Sequence, residues 1–251
     1  MKETYMMQYD NGPKTLITKD NAYAILKAFA KEYKKQNGSR VPTEIVIVGC
    51  CSILLNYGFR EYTQDFDILV QSMEMIKSVS YRIADQYNLP NDWMNTDFYH
   101  TASYSVKLRE VSKHFCSFNG GSLEIRTVNA EYLIAMKMVS AREYRNDISD
   151  IVGILIYLKK DLEDFSMDKI DAAIQYLYGE PKEIIKDEVY DKVRQYVQQS
   201  VSELQGEYRT LTQTEDETKK ALVTVSEKYP DAITEDSIDN VIKNLRRRRG
   251  R

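Results

Sequence analysis

Asp65 and Asp67 stand one residue apart in TQDFDILV, a stretch whose apolar residues otherwise read as a half-buried strand. Residues i and i+2 of a strand point to the same face, so this spacing sets two carboxylates side by side. Such a pair repels itself unless a divalent cation sits between the oxygens, and Mg²⁺ suits one or two carboxylates plus substrate phosphates. The pair is therefore a candidate metal clamp for phosphoryl or nucleotidyl transfer, with the metal offsetting charge as an α-phosphate is attacked. The plainer alternative is a solvent-facing strand edge. Upstream, the run EIVIV ends in Gly49, and Cys50-Cys51-Ser52 open a short apolar segment. A strand, a glycine bend and a helix start can offer backbone N–H groups and a hydroxyl to a phosphate, with Gly49 allowing close approach.

Other chemistries have little to work with. The two histidines, His100 and His114, have no partner pattern for a triad or a zinc protease. Three cysteines, two of them adjacent as Cys50 and Cys51, suit neither a disulfide framework nor a zinc site and read as reduced packing thiols. Cys50 at a helix start is also a candidate reactive thiol. The charges nearly cancel, 35 basic against 38 acidic, so any phosphate-binding surface must be local. Trp93 is read as core or as a base-stacking residue, and Arg246–Arg249 as a solvated tail or a grip on phosphates. With no long apolar run and no signal-like start, the expected location is cytoplasmic, away from membrane.

The elements that must position these residues follow from periodicity. Ala22, Ile25, Leu26, Phe29 and Ala30 recur at helical spacing, between caps at Thr18 or Asp20 and Gly38. A buried strand then ends at Gly49, a short helix stops at Gly58, DFDILV forms the next strand, and a helix runs toward Pro90. Alternation around Asn119-Gly120-Gly121 predicts a hairpin, with three further strands between Tyr104 and Val128. Beyond it everything reads as helical: 129–142, 146–160, 166–178, 183–204, 213–228 and 235–246, with GEYRTLTQTEDETKK as a polar surface loop or frayed helix. The expectation is an α/β (α+β) fold, a mixed β-sheet with flanking helices over 1–128 and a helical region over 129–251, of which 129–160 completes the active site.

In this order, the glycine bend, the short helix and Thr63-x-Asp65-x-Asp67 resemble the nucleotidyltransferase superfamily, and more narrowly its minimal, toxin-type, abortive-infection (AbiEii-like) members. A second match lies downstream, where Glu131, Leu133, Ala135 and Lys137 take the places of an E-x-L-x-A-x-K helix, and Asp147 and Asp150 those of the acids on the next helix. The resemblance covers roughly residues 40 to 160. It implies that Asp65 and Asp67 hold Mg²⁺, that Gly49, Cys50, Ser52 and Thr63 line the nucleotide site, and that Lys137 reaches the triphosphate. Asp150 would hold Lys137 or take part in chemistry. Two departures stand out: Cys50 replaces the family's second glycine, and Glu124 is the candidate for the third metal carboxylate. Arg60 lies one position from where toxin-type members carry a basic residue, and Glu61 takes that place.

The implied activity is transfer of NMP from an NTP to a hydroxyl of a tRNA end or a protein side chain, with pyrophosphate leaving. By the same resemblance the chain would be the toxin of a toxin–antitoxin or phage-defence pair, with an antitoxin as partner. A rival is a catalytically inactive binding or regulatory protein of the same fold, which Cys50 and the third acid favour. Another is a helical interaction protein whose working part is 160–251.

Overall fold

The computed structural model describes residues 13–38, 41–142, 145–161, 165–229, 233–234 and 237–249. A two-residue strand β1 (Ile17–Thr18) leads into helix α1 (Lys19–Asn37), whose entry is fixed by Asn21 Oδ1 accepting the Thr18 N–H at 2.8 Å. Strand β2 (Thr43–Ile47), helix α2 (Gly49–Tyr57), the short β3 (Tyr62–Thr63), β4 (Phe66–Val70), helix α3 (Glu74–Tyr87) and β5 (Met94–Asn95) follow. Two 3₁₀ turns, Asp97–His100 and Val106–Arg109, precede β6 (Ser112–Phe118) and β7 (Leu123–Val128). The remaining helices are α4 (Ala130–Ser140), α5 (Asp147–Lys160), α6 (Met167–Tyr178), α7 (Pro181–Ile184), α8 (Asp187–Gln198), α9 (Val201–Lys228) and α10 (Ile238–Arg249).

The main sheet has the order β5-β4-β2-β7-β6. β2 runs antiparallel to β4 and parallel to β7, β5 is parallel to β4, and β6 closes the other edge antiparallel to β7. This is the mixed α/β architecture expected, a five-stranded sheet with helices on its faces and a helical region after it. Alternation along the strands sorts the core into two layers. Ile45, Ile47, Phe66, Ile68, Leu123 and Ile125 face α1 and α3, whereas Val46, Val48, Leu69 and Val128 face the helices that begin with α4. Trp93 is fully buried in the first layer, its indole N–H donating to Ser80 C=O at 3.0 Å and its ring set edge-on to Phe66 and Phe29, so its role is packing.

Three expectations are corrected. Two strands, not three, occupy 104–128, because Ser105 Oγ accepts the Lys107 N–H and the chain turns into a 3₁₀ helix there. The single helix expected over 183–204 is broken at Ile185 and Lys186 and again at Gln199 and Ser200, where the Ser200 hydroxyl and the Glu203 carboxylate bond reciprocally across a new helix start. The polar stretch Gly206–Lys220, read as loop or frayed helix, is the middle of the 28-residue α9. Its buried side includes Glu215 and Thr218, and Thr210, Thr212, Thr214 and Thr218 return their hydroxyls to carbonyls four residues back, so the helix hides behind polar composition. Among the described residues no helix is long and apolar enough to cross a membrane. The side chains of Arg246–Arg249 lie outside the described residues.

One packing detail fixes how the loop after α2 meets α5. Gly153 of α5 receives the ring of Phe59, and a Cβ there would lie 2.3 Å from Phe59 Cε2. Phe59 in turn stands edge-on to Tyr208 of α9 at 6.0 Å. Gly153→Ala gains about 1 kcal/mol in helix propensity but overpacks this contact at a cost of about 2 kcal/mol, so a net loss of about 1 kcal/mol is expected. A urea midpoint that stays put or rises would show that the ring yields freely.

Candidate active site

The antiparallel register of β2 and β4 brings the glycine bend and the acids to one end of the sheet. Ile47 pairs with Ile68, and the Val48 N–H donates to Asp67 C=O at 2.9 Å, so the chain leaves β2 beside the first residues of β4. Phe66 and Ile68 point into the layer under α1 and α3, while Asp67 shares the opposite face with Leu69. Asp65 lies one residue before β4, in the approach to the strand rather than within it. Thr63 shapes that approach: it is buried, pairs with Ile17, and its hydroxyl donates to the Asp65 carbonyl at 3.2 Å.

Gly49 begins α2 with φ +60°, a left-handed conformation that favours glycine. A Cβ built there would stand 3.0 Å from Asp67 Oδ2, so the carboxylate lies directly against bare backbone. Both acids are half-buried, and burial is the main influence raising each. Asp67 is pushed up to about 7, with the neighbouring Asp65 adding to burial and Lys137, Arg145 and Arg142 opposing it. For Asp65, Arg145 opposes burial, the exposed Asp92 adds like charge, and the Asn95 side chain assists the ionised form. Asn95 pairs with Asp67 across β5 and β4 and was not singled out in the sequence, where nothing marks so short a strand.

Lys137 of α4 reaches the same end from below and is nearly buried. Its Nζ lies 2.8 Å from Asp147 Oδ1, 2.9 Å from Asp150 Oδ2 and 3.6 Å from Cys50 Sγ. Arg60 grips Asp150 through two bonds, at 3.0 and 3.1 Å, and Arg142 gives both its backbone N–H and its Nε to Asp147 Oδ2 at 3.0 Å. Burial alone would lower the Lys137 ammonium, and the two carboxylates outweigh it and leave it raised. Burial likewise works against ionised Asp147, and Lys137 and Arg142 outweigh it, so Asp147 is held below the ordinary range. Three cations therefore surround two buried carboxylates, leaving a positive surplus beside Asp67. The spacing of 90 residues between Arg60 and Asp150 gives no local signal for the pairing.

Two expected site residues stand elsewhere. Ser52 is fully buried, and its hydroxyl accepts the Val128 N–H at 3.2 Å, which ties α2 to the end of β7 and turns the side chain inward. Glu124 pairs in register with Glu44, whereas the level of Asp67 is that of Val48, four residues further along β2 and about 13 Å away at the rise of a strand. Its carboxylate is engaged by Arg126 at 2.9 Å and His114 at 3.4 Å, with the Arg126 bond foremost in holding it below its usual value. Among the described residues no group of three or more His, Cys, Asp or Glu side chains is arranged to hold a metal. Asp65 and Asp67 fit the other mode, in which Mg²⁺ takes one or two carboxylates and completes its shell from substrate phosphates and water. A cleft of about 520 Å³ between α4 and α6, lined by Glu131, Tyr132, Phe165, Lys169 and Tyr176 among others, contains none of these residues.

The glycine bend, the aspartates across from it and the lysine helix beneath them thus lie together at one end of a mixed sheet. The chain belongs to the family described as nucleotidyltransferase of unknown function (DUF6036), whose model matches residues 24–202. That description carries no toxin or abortive-infection subtype. No curated protein and no solved structure matches the chain.

Proposed function

We propose that the chain is a Mg²⁺-dependent nucleotidyltransferase that moves NMP from an NTP to an acceptor hydroxyl of an RNA or a protein. The observation that carries this is the contact of Asp67 Oδ2 with Gly49, where a side chain would leave only 3.0 Å, beside the N-terminus of α2. Backbone N–H groups at a helix start suit an anion, and Asp65 and Asp67 suit a cation, so a metal–triphosphate would satisfy both at once. Mg²⁺, when bound, would neutralise the charge that builds on the α-phosphate. Asp65 and Asp67 would hold it, and the surplus of positive charge around Lys137 would favour the departing pyrophosphate. In the transfer the acceptor hydroxyl gives its proton to water as its oxygen bonds to the α-phosphorus, the bond to the bridging oxygen breaks, and pyrophosphate leaves with that electron pair.

A second reading, a nucleotide-binding protein without turnover, is favoured by Cys50. Its thiol stands at 3.6 Å from Lys137 Nζ where the toxin-type nucleotidyltransferases that the sequence resembles have glycine, and Lys137 itself is committed to two carboxylates. Incubation with each α-labelled NTP, Mg²⁺ and total tRNA or lysate separates the two. Transfer of label with pyrophosphate release, lost in Asp65→Ala, is the expected result. Tight binding with no pyrophosphate from any NTP would overturn it in favour of the second reading.

A further inference from the structure

The family match ends at residue 202, just inside α9, yet α9 bears directly on the helix that carries Asp147 and Asp150. Glu215 of α9 is only 7% exposed, and its carboxylate accepts the Ser149 hydroxyl at 2.6 Å and the Ser149 N–H at 3.4 Å. Ser149 is the third residue of α5, and its N–H is one of those a helix cannot satisfy internally. The α5 N-cap, Asn146, makes no side-chain cap bond; its Oδ1 accepts Lys219 Nζ, again from α9. Three turns earlier Tyr208 stands against Phe59, the residue before Arg60, and Phe59 is seated on Gly153. The cap of α5 and the approach of Arg60 to Asp150 are thus both set by one helix.

We infer that α9 latches α5, with Glu215 as a positioning residue that supplies the missing cap and so fixes where Asp147 and Asp150 hold Lys137 beside the glycine bend. Its consequence for nucleotide rests on the nucleotidyltransferase reading; the latch itself does not. A merely space-filling contact would have no use for a carboxylate here. Glu215 is faced by Ser149 and the like charge of Asp150 on α5, by Lys219 and Tyr208 on its own helix, and by Tyr196 on α8. Burial pushes its carboxyl up to about 7, Ser149 pulling it the other way and Asp150 adding to the rise. Released to solvent it returns to about 4.3, so the latched state binds the proton more tightly. The latch is therefore firmest at low pH and slackens as pH rises from about 4 through about 7.

The test is hydrogen exchange of residues 147–153 in the full-length wild type, Glu215→Ala and Glu215→Gln at pH 6 and pH 8, with α1 as the internal reference. A parallel titration uses each of the four α,β-methylene nucleoside triphosphates with Mg²⁺. Glu215→Ala strands both Ser149 donors and should speed exchange of 147–153 by about tenfold or more while α1 is unchanged. Glu215→Gln keeps an acceptor and cannot ionise, so it should match wild type at pH 6 and lose the slackening that wild type shows at pH 8. Nucleotide affinity should fall about tenfold in the Ala variant and be restored in the Gln variant. Unchanged exchange at 147–153, or equal acceleration in α1, would overturn the latch. A loosened α5 with undiminished nucleotide affinity would overturn the positioning role. A wild type that binds none of the four nucleotides would refute the proposed function, and the exchange data would still decide the latch.

Discussion

Asp67→Asn is expected to abolish nucleotidyl transfer, by about a hundredfold or more, while the fold is held as well as before or better. The first half follows from the position of Asp67 Oδ2 against Gly49, with Asp65 beside it as the other half of the pair and Glu124 at the far end of the sheet. The second follows from linkage. An aspartate ordinarily near 3.9 that is raised to about 7 by burial and by Asp65 binds its proton more tightly folded than unfolded. The stability this contributes is complete below about 4 and is lost as pH rises through about 7. Asparagine cannot ionise, so the variant should gain on wild type progressively from pH 5 to pH 8. Melting curves at those two values, with transfer assayed in parallel, check both halves. An Asp67→Asn protein that melts lower at pH 8 would assign the residue to the fold instead of the chemistry.

Lys137→Met should do the reverse, costing about 3–5 kcal/mol, because it leaves Asp147 and Asp150 buried with one cation fewer. For a chain of this size that is a fall in Tm of about 10 °C. Asp147 is held low by Lys137 and Arg142 once burial is overcome, so the stability it lends is present above about 4 and disappears as pH falls below. The deficit of Lys137→Met should accordingly shrink in acid, and adding Asp147→Asn should recover part of it at neutral pH. A variant that keeps its Tm yet loses nucleotide affinity would contradict this and give Lys137 the triphosphate contact that the sequence resemblance implies.

The parts of the site legible in the sequence are those set by local periodicity. Asp67 declares its side through the alternation of its strand, whereas Asp65 stands just before β4, and Gly49 declares a bend because a β-branched run stops at it. Lys137 and Asp150 were legible as members of a motif, with Asp150 holding Lys137. Their environment was not: Arg60 meets Asp150 only because Phe59 wedges between Gly153 and Tyr208, contacts that join three distant segments. Glu124 was misplaced for a related reason. A glutamate in a strand announces its side but not its register, and it is the pairing of Glu44 with Glu124 that carries it away from Asp67. Cys50 stands where expected, half-buried beside the bend, while Ser52 turns inward to β7 because the first turn of α2 must be anchored there. The long α9 was read in pieces, with helix ending at 204 and resuming at 213, because between Leu204 and Leu222 its buried stripe uses Glu215 and Thr218 where periodicity looks for leucine.

The central claim is that Asp65 and Asp67 bind a divalent cation together with a nucleoside triphosphate at the Gly49 bend. Mn²⁺ titration followed by electron paramagnetic resonance, with and without α,β-methylene nucleoside triphosphates, tests it in wild type and in the Asp65→Asn, Asp67→Asn double variant. The account predicts uptake that the nucleotide strengthens in wild type and that the double variant loses. Equal uptake of metal and nucleotide by both proteins would contradict it.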